Sequence, residues 1–291
     1  MVSAIKAEEI FRTVISQSIQ GKSVDEAIIG PTIAQFELVC SALIKSRRLQ
    51  RAHNLIEWMD NLYQSQQYHI KPTAPCYQAL ITAFSKRNEP EKGELLFHKF
   101  MESFKNDEGL FDEALTSSAN HVIHAYSRKR KAQKAYNLLY YIGQTDGIYP
   151  DTFSFNAVLS GYMREKNIEK CIQVLQLMED MAESGQLNIT SVSYNTVMQC
   201  AVDCNLTEKV EEIFERMQEM SRKITKVKPD SRTYNILMNA YSQLSGKEGA
   251  RKCEDLLRQM EENFQAGEAN VKPVGNSCLF LIIRSTCIES Y

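Results

Sequence analysis

Residues 150–181 read PDTFSFNAVLSGYMREKNIEKCIQVLQLMEDM, and the same order of features returns twice further along the chain. It comes back as NITSVSYNTVMQCAVDCNLTEKVEEIFERMQEM at 188–220 and as PDSRTYNILMNAYSQLSGKEGARKCEDLLRQMEE at 229–262. Each copy opens on an aromatic residue followed by asparagine: Phe155-Asn156, Tyr194-Asn195 and Tyr234-Asn235. Toward the N-terminus, Cys76-Tyr77-Gln78-Ala79-Leu80-Ile81 and Ala119-Asn120-His121-Val122-Ile123 fit the same template, and Phe36-Glu37-Leu38-Val39-Cys40 is a fainter copy. Units then begin at 33, 74, 116, 152, 191 and 231, with a truncated one near 275, in steps of 41, 42, 36, 39, 40 and 44 residues. A period of this length is the sequence signature of a repeat array, in which each unit is one supersecondary element.

Every unit carries two helical patterns. Phe155, Val158, Leu159 and Tyr162 fall at i, i+3, i+4 and i+7, and Ile168, Cys171, Val174, Leu175 and Met178 mark a second stripe beyond a polar turn at Glu165–Asn167. The next two units repeat this with Tyr194, Val197, Met198, Ala201 then Val210, Ile213, Phe214, Met217, and with Tyr234, Leu237, Met238, Tyr241 then Cys253, Leu256, Leu257, Met260. Pro31, Pro72, Pro150, Pro229 and Pro273 close the stretches after second helices, with Asp151 and Asp230 beside them suited to capping the next helix. A two-helix unit cannot bury its apolar stripe alone, so neighbours stack. The fold expected is all-α: a right-handed superhelical solenoid with an inner and an outer helix layer. The methionine, leucine and aromatic stripes are therefore core, and outer-helix charges such as Glu208, Lys209, Glu211 and Glu212 read as solvated faces. Residues 1–32 read as a partial repeat or helical cap, 33–73, 74–115, 116–151, 152–190, 191–230 and 231–274 as six repeats, and 275–291 as a truncated repeat or tail.

Composition bounds the function. With 34 basic and 36 acidic side chains among 291 residues the formal net charge is −2, which argues against a broad basic surface. Hydrophobic residues at 43% and charged residues at 24%, with 12 glycines and 7 prolines, exclude collagen-like and mostly disordered chains. No apolar run approaches the roughly 18 residues a membrane helix needs, so a soluble chain is expected. The eight cysteines form no CxxC pair, and Cys200 with Cys204 has no matching pair nearby, so reduced, buried core thiols are the expectation rather than a zinc site. His121 and His124 share a helix without a third ligand, and no phosphate-cradling loop, deaminase signature or catalytic constellation is present. No cofactor, metal or enzymatic activity is expected.

The aromatic-Asn opening, the Gly161-Tyr162 and Ala240-Tyr241 helix ends and the Lys228-Pro229-Asp230 close resemble the pentatricopeptide-repeat family over residues 33–274, most clearly over 116–260. The alternative helical-hairpin family, the tetratricopeptide repeats, fits less well: its tryptophan pattern is absent and the sole tryptophan, Trp58, lies in a second helix. The resemblance implies a solenoid that binds single-stranded RNA, one base per repeat, read by two or three side chains. It assigns base reading to the residue after the aromatic together with the last residue of the same unit: Glu37 with Thr73, Gln78 with Leu115, Asn120 with Asp151, Asn156 with Thr190, Asn195 with Asp230, and Asn235 with Val274. An asparagine amide offers both donor and acceptor to a base edge. The family pairing of Asn with Asp implies uridine at the units from 116 and 191 and a pyrimidine-leaning read elsewhere, while the first two units depart from the pattern.

Three residues before each reading position the resemblance places a base-stacking side chain; Phe153 and Val192 suit it, Ala34, Pro75, Ser117 and Arg232 less so. Eight residues after it lie Lys45, Lys86, Arg128 and Arg164, four cations in register suited to phosphate, reinforced by Arg128-Lys129-Arg130-Lys131; the next two units have Asp203 and Gln243 there. Two blander readings compete: the asparagines could be helix-start residues kept for capping, and the cations could simply complement helix dipoles. The expected partner is single-stranded RNA, with a recruited protein as a further partner, no membrane, and a mitochondrial or chloroplast location by resemblance, although Met1–Gly21 lacks an arginine-rich transit composition. The competing function is a protein-binding α-solenoid scaffold.

Overall fold

The structure, a computed structural model, describes residues 2–20, 31–105, 112–145, 148–244, 247–265 and 271. Val274, the apolar stretch Cys278–Ile283 and the proposed tail 275–291 lie outside the described residues. The helices are α1 Val2–Gln20, α2 Ile33–Lys45, α3 Leu49–Gln64, α4 Ala74–Lys86, α5 Pro90–Phe104, α6 Asp112–Arg128, α7 Ala132–Gly143, α8 Thr152–Arg164, α9 Ile168–Glu183, α10 Ser191–Asp203, α11 Thr207–Lys223, α12 Ser231–Tyr241 and α13 Lys247–Gln265. No strand occurs among the described residues, and the fold class is an all-α repeat solenoid. No helix among them is long and apolar enough to cross a membrane.

The chain divides into two compact units, Met1–Lys129 with Asn137–Pro150, and Arg130–Tyr136 with Asp151–Tyr291. In the first, α2 packs on α4 and α4 on α6, while α3 and α5 each pack on their own first helix and on the next one. In the second, α8, α10 and α12 form the equivalent row, with α9 and α11 bridging successive members and α13 against α12. The apolar stripes supply this packing: Phe155, Val158, Leu159, Tyr162, Val174, Leu175, Met178, Tyr194, Met198, Ile213, Met217, Leu237 and Met238 are all buried. Each such side chain contributes about 1.5–3 kcal/mol when fully removed from water. Of the six described free cysteines five are buried, as their stripe positions require.

Local chemistry repeats with the helices. Thr32, Asp151 and Asp230 cap α2, α8 and α12 with reciprocal bonds to Gln35, Ser154 and Thr233. At the other end, the left-handed residues Arg47, Asn88, Lys166 and Asn205 (φ 60, 62, 55 and 58°) close four of the hairpins. In each, two backbone amides turn back onto the last turn, as Arg47 N to Ile44 O and Arg48 N to Leu43 O do after α2, satisfying carbonyls the helix would leave unpaired. Gly249 is required for another reason: a Cβ there would stand 2.4 Å from the Tyr241 carbonyl oxygen, so α13 approaches the end of α12 only with hydrogen at that position.

Three features differ from the sequence reading. First, α6 starts at Asp112 rather than 116. Second, Leu115 is therefore a buried residue one turn inside α6, 1% exposed, instead of a unit's closing residue that could face a base. Third, the charges of the second helices are not simply solvated. Arg51 reaches back to Glu8, Lys99 to Glu57, Arg216 to Glu179, Lys223 to Glu183 and Lys252 to Glu211, always onto the preceding second helix. Tyrosines near the ends of first helices add a further tie to the preceding second helix: Tyr126 donates to Glu94 at 2.5 Å, Tyr162 to Gln133 at 3.0 Å, and Tyr241 to Glu211. Glu211 thus serves two neighbouring helices at once.

Candidate nucleic-acid interface

Five of the six reading positions stand at the fifth residue of their helices, and Asn120 is the ninth residue of α6. Thr32, Thr73, Asp151, Thr190 and Asp230 occupy the caps of α2, α4, α8, α10 and α12, and Glu37, Gln78, Asn156, Asn195 and Asn235 follow five residues later. The asparagines are therefore not caps, and capping does not account for them. Inside a helix Asn is unfavourable by a few tenths of a kcal/mol relative to Ala. The residue that closes each unit is the one that caps the next helix, which explains how two positions some 35 residues apart meet.

Two predicted pairs are in direct contact. Asn195 Nδ2 donates to Asp230 Oδ1 at 3.3 Å, and Thr73 Oγ1 donates to Glu37 Oε1 at 2.7 Å. Asp230 also caps α12 through Thr233 and accepts from Ser191 Oγ at 3.1 Å. Burial alone would raise its carboxyl, but the Thr233 amide and hydroxyl, Ser191 and Asn195 outweigh that and hold it below the usual range. Thr73 makes no capping bond to a backbone amide of α4; its hydroxyl is directed to Glu37 and also reaches Cys76 Sγ at 3.5 Å. Asn156 Oδ1 instead accepts from Ser193 Oγ at 2.8 Å and makes no bond to Thr190, and Gln78 Nε2 donates to the Ala114 carbonyl at 3.1 Å. Asn120 is buried in α6 of the first unit, and Asp151 caps α8 of the second.

Four buried side-chain polar atoms among the described residues lack a partner, and two are the carbonyl oxygens of Asn195 and Asn235. An unsatisfied buried acceptor costs about 1–3 kcal/mol, so each is a standing preference for an incoming N–H. The stacking positions are open: Phe153 is 58% and Val192 51% exposed, and Ala34, Pro75, Ser117 and Arg232 are exposed as well. Phe153 with Asn156, and Val192 with Asn195, are three residues apart and so share one helix face.

Lys45, Lys86, Arg128 and Arg164 are the last residues of α2, α4, α6 and α8. All four are exposed, but their bonding is not the same. Arg128 differs, because its guanidinium Nη2 donates to the Ser85 carbonyl in the last turn of α4, and neighbouring Lys129 pairs with Glu91 at 3.2 Å. Two cations of the basic run at 128–131 are thus structural ties between repeats. His121 is likewise occupied within its own helix, Nδ1 donating to Ser117 O at 2.7 Å, and no cluster of three or more metal-ligating side chains occurs among the described residues. Sequence reasoning paired Asp230 with Asn195 but missed Ser191 as its further partner, Ser193 as the partner of Asn156 and the Ser85 carbonyl as that of Arg128; the recurrence of Ser, Thr or Asp near matched helix starts was the available signal.

A row of helical hairpins with a polar side chain at the fifth position of five first helices defines an α-helical repeat protein. Comparison with known proteins agrees on the class. The PPR repeat profile matches residues 75–103, 117–142 and 153–181, and the PPR repeat family profile matches 189–243. Over these four segments the chain carries repeats of the pentatricopeptide-repeat type. A chloroplastic pentatricopeptide repeat-containing protein of Arabidopsis thaliana is 26% identical over 201 residues, 69% of this chain and 35% of that protein. A mitochondrial one from the same plant is 28% identical over 113 residues, 39% of this chain and 20% of that protein. Among solved structures, maize pentatricopeptide repeat protein PPR10 superposes with a TM-score of 0.57 at 16% identity, covering 93% of this chain and 32% of that one. PPR10 in complex with an 18-nucleotide psaJ RNA element gives 0.51 at 18% identity, covering 96% and 35%. These likenesses establish the fold. The chain spans about a fifth to a third of the length of these relatives.

Proposed function

We propose that the chain binds single-stranded RNA, one base per repeat, with a uridine-leaning, pyrimidine-tolerant read, and acts in organellar RNA processing, stability or translation. The observation that carries this reading is the Asn195–Asp230 pair, in which the amide nitrogen is fixed at 3.3 Å and the carbonyl oxygen is left without a donor. Such an acceptor suits the ring N–H of uracil, whereas cytosine and adenine present a lone pair at the corresponding place on their pairing edge. The six repeats 33–73, 74–115, 116–151, 152–190, 191–230 and 231–274 each offer one reading position. Those from 116 onward, with Asn120, Asn156, Asn195 and Asn235, read bases most directly. Phe153 and Val192 stack bases, and Lys45, Lys86 and Arg164 contact phosphates. The RNA-bound neighbour and the mitochondrial and chloroplastic names of relatives support the partner and the location.

The test is fluorescence anisotropy with uridine-rich and adenine-rich single-stranded RNA across a salt series. Tighter binding to the uridine-rich strand, weakening as salt rises, is expected. Absence of binding to either at low salt would overturn the proposal and leave a protein-binding scaffold as the role of the surface.

A further inference from the structure

Outside the reading positions, the hairpin turn between α2 and α3 carries a cavity of about 300 Å³ lined by Ser46, Arg47, Arg48, Leu49, Gln50, Arg51 and Arg87. Four of those seven side chains are guanidinium groups, in a chain whose net charge is −2. Arg47 and Arg48 are exposed, and neither side chain is paired with a carboxylate among the described residues. Arg51 meets Glu8 at 3.3 Å through Nη1, and Arg87 meets Glu89 at 3.3 Å through Nε, which leaves further N–H groups of each fork open. Clustered like charges repel one another, and an anion bridging them would relieve that repulsion.

Leu49, Gln50 and Arg51, which line the cavity, form the first turn of α3, whose backbone amides have no partner within the helix. The second helices that follow it have a carboxylate there: Glu91 in α5, Glu169 in α9, Glu208 in α11, Glu248 in α13, and for α7 the Glu165 side chain bonded to Ala132 N at 2.8 Å. The first turn of α3 has none, and its cap residue Arg48 makes no capping bond.

We propose that Arg47, Arg48, Arg51 and Arg87 form a phosphate-binding site at the α2–α3 turn, distinct from the lysine and arginine positions that end the first helices. Guanidinium forks match phosphate oxygens in bidentate geometry, and a helix start adds backbone donors of the same sign. The phosphate belongs either to an RNA strand or to a small phosphate compound; the RNA source rests on the proposed function above, the small-compound source does not.

The experiment uses the full chain, Arg47→Gln/Arg48→Gln, and a control of equal charge loss, Arg222→Gln/Lys226→Gln, both exposed in the second unit. Glutamine already occupies the left-handed region in this chain at Gln66 (φ 56°), so the Arg47 substitution suits the turn. Arg48→Gln alone serves as the second variant should the pair disturb folding. Inorganic pyrophosphate is titrated by calorimetry and uridine-rich single-stranded RNA by anisotropy. Loss of two charge-assisted contacts is expected to weaken binding about tenfold, with the control unchanged. A loss confined to pyrophosphate assigns the site to a small compound, and a loss with RNA assigns it to a strand. If the native chain binds no RNA at all, the proposed function fails while the pyrophosphate arm still decides this site. Native-like behaviour of Arg47→Gln/Arg48→Gln in both arms overturns the proposal.

Discussion

Asn195, at the fifth position of α10, donates through Nδ2 to Asp230 Oδ1 at 3.3 Å, although 35 residues separate them. The contact exists because Asp230 is simultaneously the cap of the next first helix, where Thr233 N reaches Oδ1 at 2.9 Å. One carboxylate therefore sets a helix start and orients the amide proposed to read a base.

That double role gives a pH signature. The carboxyl of Asp230 is held below its ordinary value, so its contribution to stability is complete above the unfolded value of about 3.9 and is lost as pH falls through the lower folded value. Asp230→Asn, which retains a capping side chain, is expected to be less stable than the native chain at neutral pH, with the difference vanishing in acid. Urea unfolding at several pH values checks this; a gap that persists below pH about 3 would show that the charge is not what matters.

Tyr126 is wholly buried and its hydroxyl bonds the Glu94 carboxylate of the preceding second helix at 2.5 Å. Burial, then that carboxylate, push the phenol well above its ordinary range, so it remains a donor throughout the working pH range. Tyr126→Phe preserves the ring and removes the bond, and a loss of about 1–2 kcal/mol is expected in denaturant unfolding. No change would mean that Glu94 is adequately solvated without it.

Glu179 is 7% exposed and takes a hydroxyl from Tyr194 at 2.7 Å as well as the Arg216 guanidinium. Arg216→Met leaves that carboxylate underpaired, at an expected cost of about 2 kcal/mol, less than for a fully enclosed pair because Arg216 is partly solvated. Adding Glu179→Leu is expected to recover most of it. A double variant as unstable as the sum of the singles would show that the two residues do not act as a pair.

Lys86→Ala with Arg164→Ala is expected to lower the salt dependence of RNA binding by about 0.7 per lost phosphate contact. Arg128→Met, by contrast, is expected to lower stability with little change in that slope, since its guanidinium is bonded to the Ser85 carbonyl. A salt slope that responds to Arg128 alone would reverse these assignments.

The repeat register was legible in the sequence because burying an apolar stripe is a local demand, imposed identically on Phe155, Tyr194 and Tyr234, and because proline and aspartate mark helix starts where backbone amides need partners. The start of α6 was not: its extra first turn follows no proline, and the shift moved Leu115 into the core. Nor were the ties from Tyr126 to Glu94 or Arg128 to Ser85 legible. They join residues 32 and 43 positions apart, and depend on how one hairpin sits against the next rather than on either helix. The arginines at 47, 48, 51 and 87 escaped notice for the same reason: three are neighbours in sequence, but the fourth arrives from the following hairpin.

The most direct measurement compares the native chain with Asn195→Ala on single-stranded RNAs that differ at one nucleotide. The native chain is expected to favour uridine at one position by about tenfold, the discrimination one good side-chain–base pairing provides. In Asn195→Ala that preference should disappear at that position alone. Discrimination that survives the substitution at every position, or affinity indifferent to sequence throughout, would contradict base reading by the Asn195–Asp230 pair.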